Sequence, residues 1–324
     1  MIVKDEAAWL PRCLQSVAGC MQELIVVDTG SRDGTPAIAR ARGARVISVP
    51  WREDFAGARN TALAHATGDW ILQLDADEEL AGADRDRLQA IVDTTTAEGV
   101  RLQVRSVGSR RDLAAYEEER IVRLFRNRPT HRYAGRVCEQ IGPAIERGGG
   151  RTEDADVTLL HHGYAEGGAG GPDRRLRTLA LLESALAESP GDPALCYRIG
   201  AAYHALGDPA RAGGFLLRAL RAQEGLGSEF VPRAYRRLAQ LALARDEFET
   251  ARRYARACLE RQPGELVSLY VLGLADFLQG RPDRACNQFE RIQALPSLNP
   301  ARSAELATVL GHCRRILREV PVQI

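Results

Sequence analysis

Gly68-Asp69-Trp70-Ile71-Leu72-Gln73-Leu74-Asp75-Ala76-Asp77-Glu78 decides how the first half of the chain is read, because an apolar strand runs directly into two carboxylates spaced i, i+2. On extended backbone that spacing sends both side chains off one face, where they can hold a hard divalent cation against a diphosphate. Taken alone, so short a pattern is better read as a solvated acidic turn at a strand end. The sequence around it decides between the two.

Upstream, Glu23-Leu24-Ile25-Val26-Val27-Asp28 is a short β-branched run of the kind that forms a buried parallel strand, and it ends in an acid. Thr29-Gly30-Ser31-Arg32-Asp33-Gly34-Thr35 supplies turn residues and a cap for a helix over 36–42. A second strand is predicted over 44–49, and Asp54-Phe55-Ala56-Gly57-Ala58-Arg59-Asn60 opens a helix that reaches His65. Strand, helix, strand, helix, strand is the pattern of an α/β domain with a mostly parallel sheet, which binds ligands at the carboxyl ends of its strands. Further on, the pattern predicts a helix over 84–93, strands over 99–107, 121–125 and 156–160, and a Gly-rich loop over 141–153.

Four blocks then carry a resemblance: Met1-Ile2-Val3-Lys4-Asp5-Glu6, Ile25-Val26-Val27-Asp28-Thr29-Gly30-Ser31-Arg32-Asp33-Gly34-Thr35, Asp54 to Asn60, and Gly68 to Glu78. Together they resemble family 2 glycosyltransferases of the GT-A fold, and more closely the subgroup followed by tetratricopeptide (TPR) repeats. Arg123-Leu124-Phe125-Arg126-Asn127, the run Gly135 to Ile141, and Leu159-Leu160-His161-His162-Gly163-Tyr164 agree with later blocks. The start is abrupt by this standard. The family carries a longer first strand, so a late start codon or trimming is expected at Met1, with a weakened central strand as the cost.

The resemblance implies transfer from a UDP-sugar with inversion at the anomeric carbon. Asp28 is then the acceptor for the uracil N3–H, Glu6 a second base or ribose contact, and Arg59 a fork of donors for the base or the diphosphate. Asp75 contacts ribose or metal-bound water, and Asp77 ligates Mn²⁺ or Mg²⁺. His161 is the implied extra ligand, with His162 as its rival. Glu139 is the implied general base, preceded by Cys138 where the family commonly has histidine; Asp54 and Glu78 are alternatives, Glu78 more in keeping with a solvated neighbour of the metal. Asn60 is read as no more than a cap.

Beyond Glu166-Gly167-Gly168-Ala169-Gly170-Gly171-Pro172 the chain is helical and repeats itself. Cys196/Ile199/Gly200/Tyr203/Ala212/Leu216/Ala219 align with Tyr235/Leu238/Ala239/Ala242/Ala251/Ala255/Cys258 and with Leu269/Leu272/Gly273/Asp276/Ala285/Phe289/Ile292. The last two are offset by 34 residues, the TPR period, and the first by 39, with 225–229 as an insertion. The expected division is a GT-A domain over 1–165, a linker over 166–172 and TPR-like repeats over 173–324. Asp276 stands where an aromatic is usual, which predicts an exposed or loose position.

Composition narrows the classes. A formal charge of +1 with arginines interleaved among acids gives no nucleic-acid patch. Seven cysteines without CxxC spacing suggest neither a disulfide framework nor a zinc site, and no apolar run has membrane-spanning length, so a cytoplasmic protein is expected. The acceptor stays open among saccharide, lipid-linked glycan, peptide and protein, with a further protein partner on the repeat groove. Two other classes compete. A sugar-1-phosphate nucleotidyltransferase would need an early Gly-rich phosphate loop, and residues 1–12 contain no glycine. A TPR scaffold carrying a catalytically impaired domain would be betrayed by failure to bind nucleotide with metal.

Overall fold

The computed structural model describes residues 1–107, 118–162, 172–227, 230–295 and 300–319. The chain divides into two compact units, one holding the described residues through Leu181 and one those from Leu182 onward.

In the first unit, β1 (Ile2–Val3), β2 (Ile25–Asp28) and β3 (Arg45–Ser48) form an all-parallel sheet in that order. Helices α1 (Leu10–Ser16) and α2 (Thr35–Ala41) make the crossovers. All four residues of β2 are buried, as its unbroken apolar run predicts, and its final residue is the acid Asp28. β1 pairs with β2 alone, so it is the edge of this sheet and not the expected central strand.

After α3 (Phe55–His65) comes a second sheet of β4 (Trp70–Leu72), β5 (Glu78–Leu80), β6 (Gly99–Ser106), β7 (Glu118–Arg126) and β8 (Thr152–His161), in the order β4-β7-β6-β8-β5. Helix α4 (Arg85–Thr94) precedes β6. Here only β6 and β8 run parallel; the other three pairings are antiparallel. The parallel arrangement expected from the alternation therefore holds for the first sheet, and the second is mixed. Within the predicted loop over 141–153 lies a helix instead, α5 (Gly142–Arg147), entered through Pro143 and closed by Gly148 and Gly149, the latter at φ 76°. The glycines set the end of this helix where the sequence suggested irregular chain.

The second unit is built from helix pairs. α6 (Pro172–Glu188), of which residues up to Leu181 belong to the first unit, leads in, then come α7 (Pro193–Ala205) with α8 (Pro209–Arg221), α9 (Phe230–Leu243) with α10 (Phe248–Leu259), α11 (Leu266–Leu278) with α12 (Pro282–Gln293), and α13 (Pro300–Glu319). Asp192 and Asp208 cap α7 and α8, each followed by proline, which pre-sets the first helical φ. The aligned small positions do steric work. A Cβ on Gly200 would meet Leu216 Cγ at 2.8 Å and one on Gly273 would meet Phe289 at 2.5 Å; the equivalent pair in the middle unit is Ala239 and Ala255, both fully buried.

Asp276 is neither exposed nor loose: it is 4% exposed, and its carboxylate accepts from Arg252 Nη1 at 3.2 Å with Arg281 at 3.8 Å. The same guanidinium reaches Glu249 and, at 2.7 Å, Gln279 Oε1. An ion pair has replaced an aromatic contact at this helix interface.

Candidate functional site

The Asp54–Asn60 block folds as one cap. Asp54 is the N-cap of α3 and its Oδ1 accepts from Gly57 N–H at 2.9 Å. A Cβ at Gly57 would lie 2.7 Å from the other oxygen of Asp54, which explains the glycine. Held in this way, Asp54 has a structural role that counts against it as a base. Asn60 is not a cap either; its amide bonds the main chain of Tyr133 in both directions, at 2.9 and 2.8 Å. Phe55 N–H is satisfied by the Arg136 carbonyl at 2.9 Å. These three bonds dock the segment 133–140 on α3. That segment closes on itself through paired bonds between Ala134 and Gln140, with Gly135 at φ 99° and Cys138 at φ 59°.

These tethers bring Glu139 to Arg59. The Arg59 guanidinium bridges two acids, Nε to Glu139 Oε1 and Nη2 to Asp75 Oδ1 at 2.9 Å, and lies 5.6 Å from the centre of the Tyr133 ring. Asp75 Oδ1 also accepts from Gln73 Nε2 at 3.1 Å, and its other oxygen, Oδ2, is held by Arg123 Nη2 at 3.0 Å. Burial raises the pKa of the Asp75 carboxyl, but the two arginines outweigh it and hold the group well below the usual carboxylate range. Glu78 is no solvated neighbour: it is 1% exposed, its Oε1 pairs with Arg123 and its Oε2 accepts Asp75 N–H at 2.9 Å. Burial, partly offset by Arg123, pushes its pKa up to about 7.

Asp75-Ala76-Asp77 is a turn closed by Glu78 N–H on the Asp75 carbonyl at 3.0 Å, so the extended backbone behind the same-face argument is not what the protein adopts. The two acids part company. Asp77 is buried against β8, where the pairing of Glu78 opposite His161 sets His161 Nε2 3.4 Å from Asp77 Oδ2. Burial lowers the His161 pKa, and the hydrogen bond and charge of Asp77 reverse that, for a net rise. His162 faces elsewhere, 3.0 Å from Glu79 and stacked on Trp9 at 5.1 Å.

Asp28 and Glu6 belong to a second network at the ends of β2 and β1. Asp28 Oδ1 accepts from Ser31 N–H at 3.1 Å, and Glu6 N–H donates to Thr35 Oγ1 at 2.8 Å. Asp5, at φ 55°, accepts from Arg32 N–H, and Asp33 from Ala7 N–H, so the 29–35 loop is stitched to the chain after β1. Sequence reasoning missed Arg123, Gln73, Tyr133 and the burial of Glu78. The signal available was Arg123 itself, a charge inside the otherwise apolar run 121–125.

Among the described residues no group of three or more His, Cys, Asp or Glu side chains converges as a metal cage. Asp77 and His161 are a two-residue set, and two cis ligands on an ion with bonds of about 2.1 Å stand roughly 3 Å apart, close to the spacing observed. Oxygen from a bound phosphate would have to complete such a site, so the donor set fits a cation that arrives with a diphosphate.

Comparison with known proteins defines the class. Residues 1–145 match the model for glycosyl transferase family 2, and residues 176–226 match a tetratricopeptide repeat. The chain thus carries a stretch that matches the glycosyl transferase family 2 model, followed by one that matches a tetratricopeptide repeat. It is 38% identical over 227 residues to a TPR repeat-containing protein of Synechococcus elongatus, covering 68% of this chain and 55% of that protein. An uncharacterized glycosyltransferase of Rickettsia felis is 43% identical over 91 residues, 28% of this chain and 32% of its own. The lipopolysaccharide core biosynthesis glycosyltransferase LpsC of Rhizobium meliloti is 34% identical over 97 residues, 28% of this chain and 35% of its own. The chain spans about half the length of the first of these and about a third of the others. No helix among the described residues is long and apolar enough to cross a membrane.

Proposed function

We propose that the chain is an inverting, metal-dependent glycosyltransferase that moves a sugar from a UDP-sugar to a saccharide, peptide or protein acceptor. The family match supports glycosyl transfer from a nucleotide-sugar. The observation that carries the finer reading is the Asp77–His161 pair, 3.4 Å apart, with Asp77 buried and His161 half-buried near the Arg59–Asp75–Arg123 cluster. Asp77 and His161 would hold Mn²⁺ or Mg²⁺, which would neutralise the departing diphosphate. Asp28 would accept the uracil N3–H, with Glu6 at the base or ribose, and Arg59 and Asp75 would line the donor site. Glu139 would take the acceptor's proton as it attacks. We assign residues 1–165 to donor chemistry, 166–172 to a linker, and 173–324 to acceptor or partner binding; 166–171 fall outside the described residues.

A scaffold with an impaired transferase domain is favoured by one observation, that Glu139 is already engaged by Arg59. Calorimetry with UDP in the presence and absence of Mn²⁺ tests the main reading. Binding that requires the metal and disappears in Asp77→Asn supports it; equal binding with and without metal refutes it. Failure to bind UDP with the metal present selects the scaffold.

A further inference from the structure

We infer that Arg123 is the positioning residue of the Asp75–Asp77 turn, acting on the proposed donor site through the turn's shape and touching no substrate itself; the inference rests on the reading of that turn as the metal–diphosphate site. Two independent observations lead there. The first is backbone register. β7 pairs with β6 as Leu124 opposite Val100 and then Val122 opposite Arg101, so the ladder skips Arg123. Such a bulge re-aims the side chain of the extra residue. The second is where that side chain goes. One guanidinium, 9% exposed, donates to Gln73 Oε1, to Asp75 Oδ2 at 3.0 Å and to Glu78 Oε1.

Those three acceptors bracket the turn on both sides. The ladder of β4 ends at Leu72 and that of β5 begins at Glu78, so residues 73–77 have no place in either strand pairing. Their main-chain bonds are few, among them Gln73 N–H on the Arg123 carbonyl at 2.7 Å, the closing bond from Glu78 N–H, Asp75 N–H on Glu78 Oε2 at 2.9 Å, and His162 N–H on the Asp77 carbonyl at 2.8 Å. Asp75 and Glu78 are like charges held close together, and without a cation between them they would repel. Arg123 neutralises both and fixes their separation. The direction of Asp77, two residues from Asp75 and one from Glu78, is set by that frame on one side and by the bond from His162 N–H to its carbonyl on the other. Lysine would restore the charge but not the planar fork that serves three separate residues.

The test compares Arg123→Lys and Arg123→Gln in the full chain. In ligand-free protein, amide hydrogen exchange of a peptide spanning 73–80 should speed up about tenfold or more, while peptides from β2 and α11 keep their rates; a residue important only for overall folding would deprotect all three. In calorimetry with Mn²⁺ and UDP, Arg123→Gln should lose about 10- to 100-fold in affinity, the usual cost of losing a residue that orients a metal ligand. Adding Glu78→Gln, which removes the acid left without its cation, should recover part of that loss. Unchanged exchange at 73–80 in both variants overturns the inference, as does wild-type affinity in a folded Arg123→Gln. Should Arg123→Gln not fold, Arg123→Lys carries the decision on the same readouts. If the wild type binds no UDP with Mn²⁺ while exchange at 73–80 responds as expected, the site reading fails and the positioning role stands.

Discussion

Asp276→Ala should destabilise the helical repeats more than an ordinary surface change, through the charge it strands. Arg252 is buried to 2% exposure, and its Nη1 has Asp276 as acceptor at 3.2 Å. Removing one partner of a buried pair costs about 3–5 kcal/mol, because the other charge stays desolvated. Gln279 Oε1, at 2.7 Å, and the exposed Glu249 carboxylate still serve Nη2, which places the expected loss near the lower end, about 3 kcal/mol. For a unit of this size roughly 2–4 °C of melting temperature accompanies each kcal/mol, so circular dichroism at 222 nm should show a fall of about 6–12 °C. The companion variant Arg252→Met/Asp276→Leu removes both charges and should lie close to wild type, since an apolar pair of similar volume often replaces a buried ion pair at little cost. A single variant melting within about 1 °C of wild type, or a double variant as unstable as the sum of the two single changes, would refute the idea that desolvated charge is what matters there.

Glu139→Gln should leave Mn²⁺-dependent UDP affinity close to wild type, since the amide oxygen can still accept from Arg59, and should slow transfer by about 10²- to 10⁴-fold; normal turnover would remove Glu139 as the base. Asn60→Ala removes both bonds to the Tyr133 main chain and should cost roughly 1–3 kcal/mol, with transfer reduced more than UDP binding; calorimetry and a transfer assay on one preparation separate the two. Gly273→Ala drives a methyl into the Phe289 ring and should destabilise by about 1–3 kcal/mol, read as a lowered urea midpoint, whereas Gly213→Ala, which meets nothing within 4 Å, should be neutral or stabilising.

What the sequence disclosed and what it concealed divide along physical lines. The β2 run, the α3 opening and the repeat period are local patterns, and each element fell within a few residues of its expected limits. The Asp77–His161 contact was reachable only through the resemblance, because strand pairing closes a gap that no spacing rule encodes. Arg123 stayed hidden for a different reason: a bulge depends on register between two strands, and register leaves no trace in one strand's composition. Asp276 misled because its partner Arg252 lies on another helix, so an acid in a core position read as a defect. Glu78 was judged by the acidity of its neighbours, whereas its burial comes from β8 and Arg123.

The docking of residues 133–140 on α3 bears on how such a domain can diversify. Arg59 sits on that helix, and Glu139 is carried by a loop whose anchors, Phe55 and Asn60, lie on the same helix within a turn and a half of each other. Grafting a foreign 133–140 loop to change acceptor preference would sever those anchors unless residues 54–60 travel with it. The exchangeable cassette is the pair of segments together, and chimeras cut between them should fail while chimeras that move both should fold.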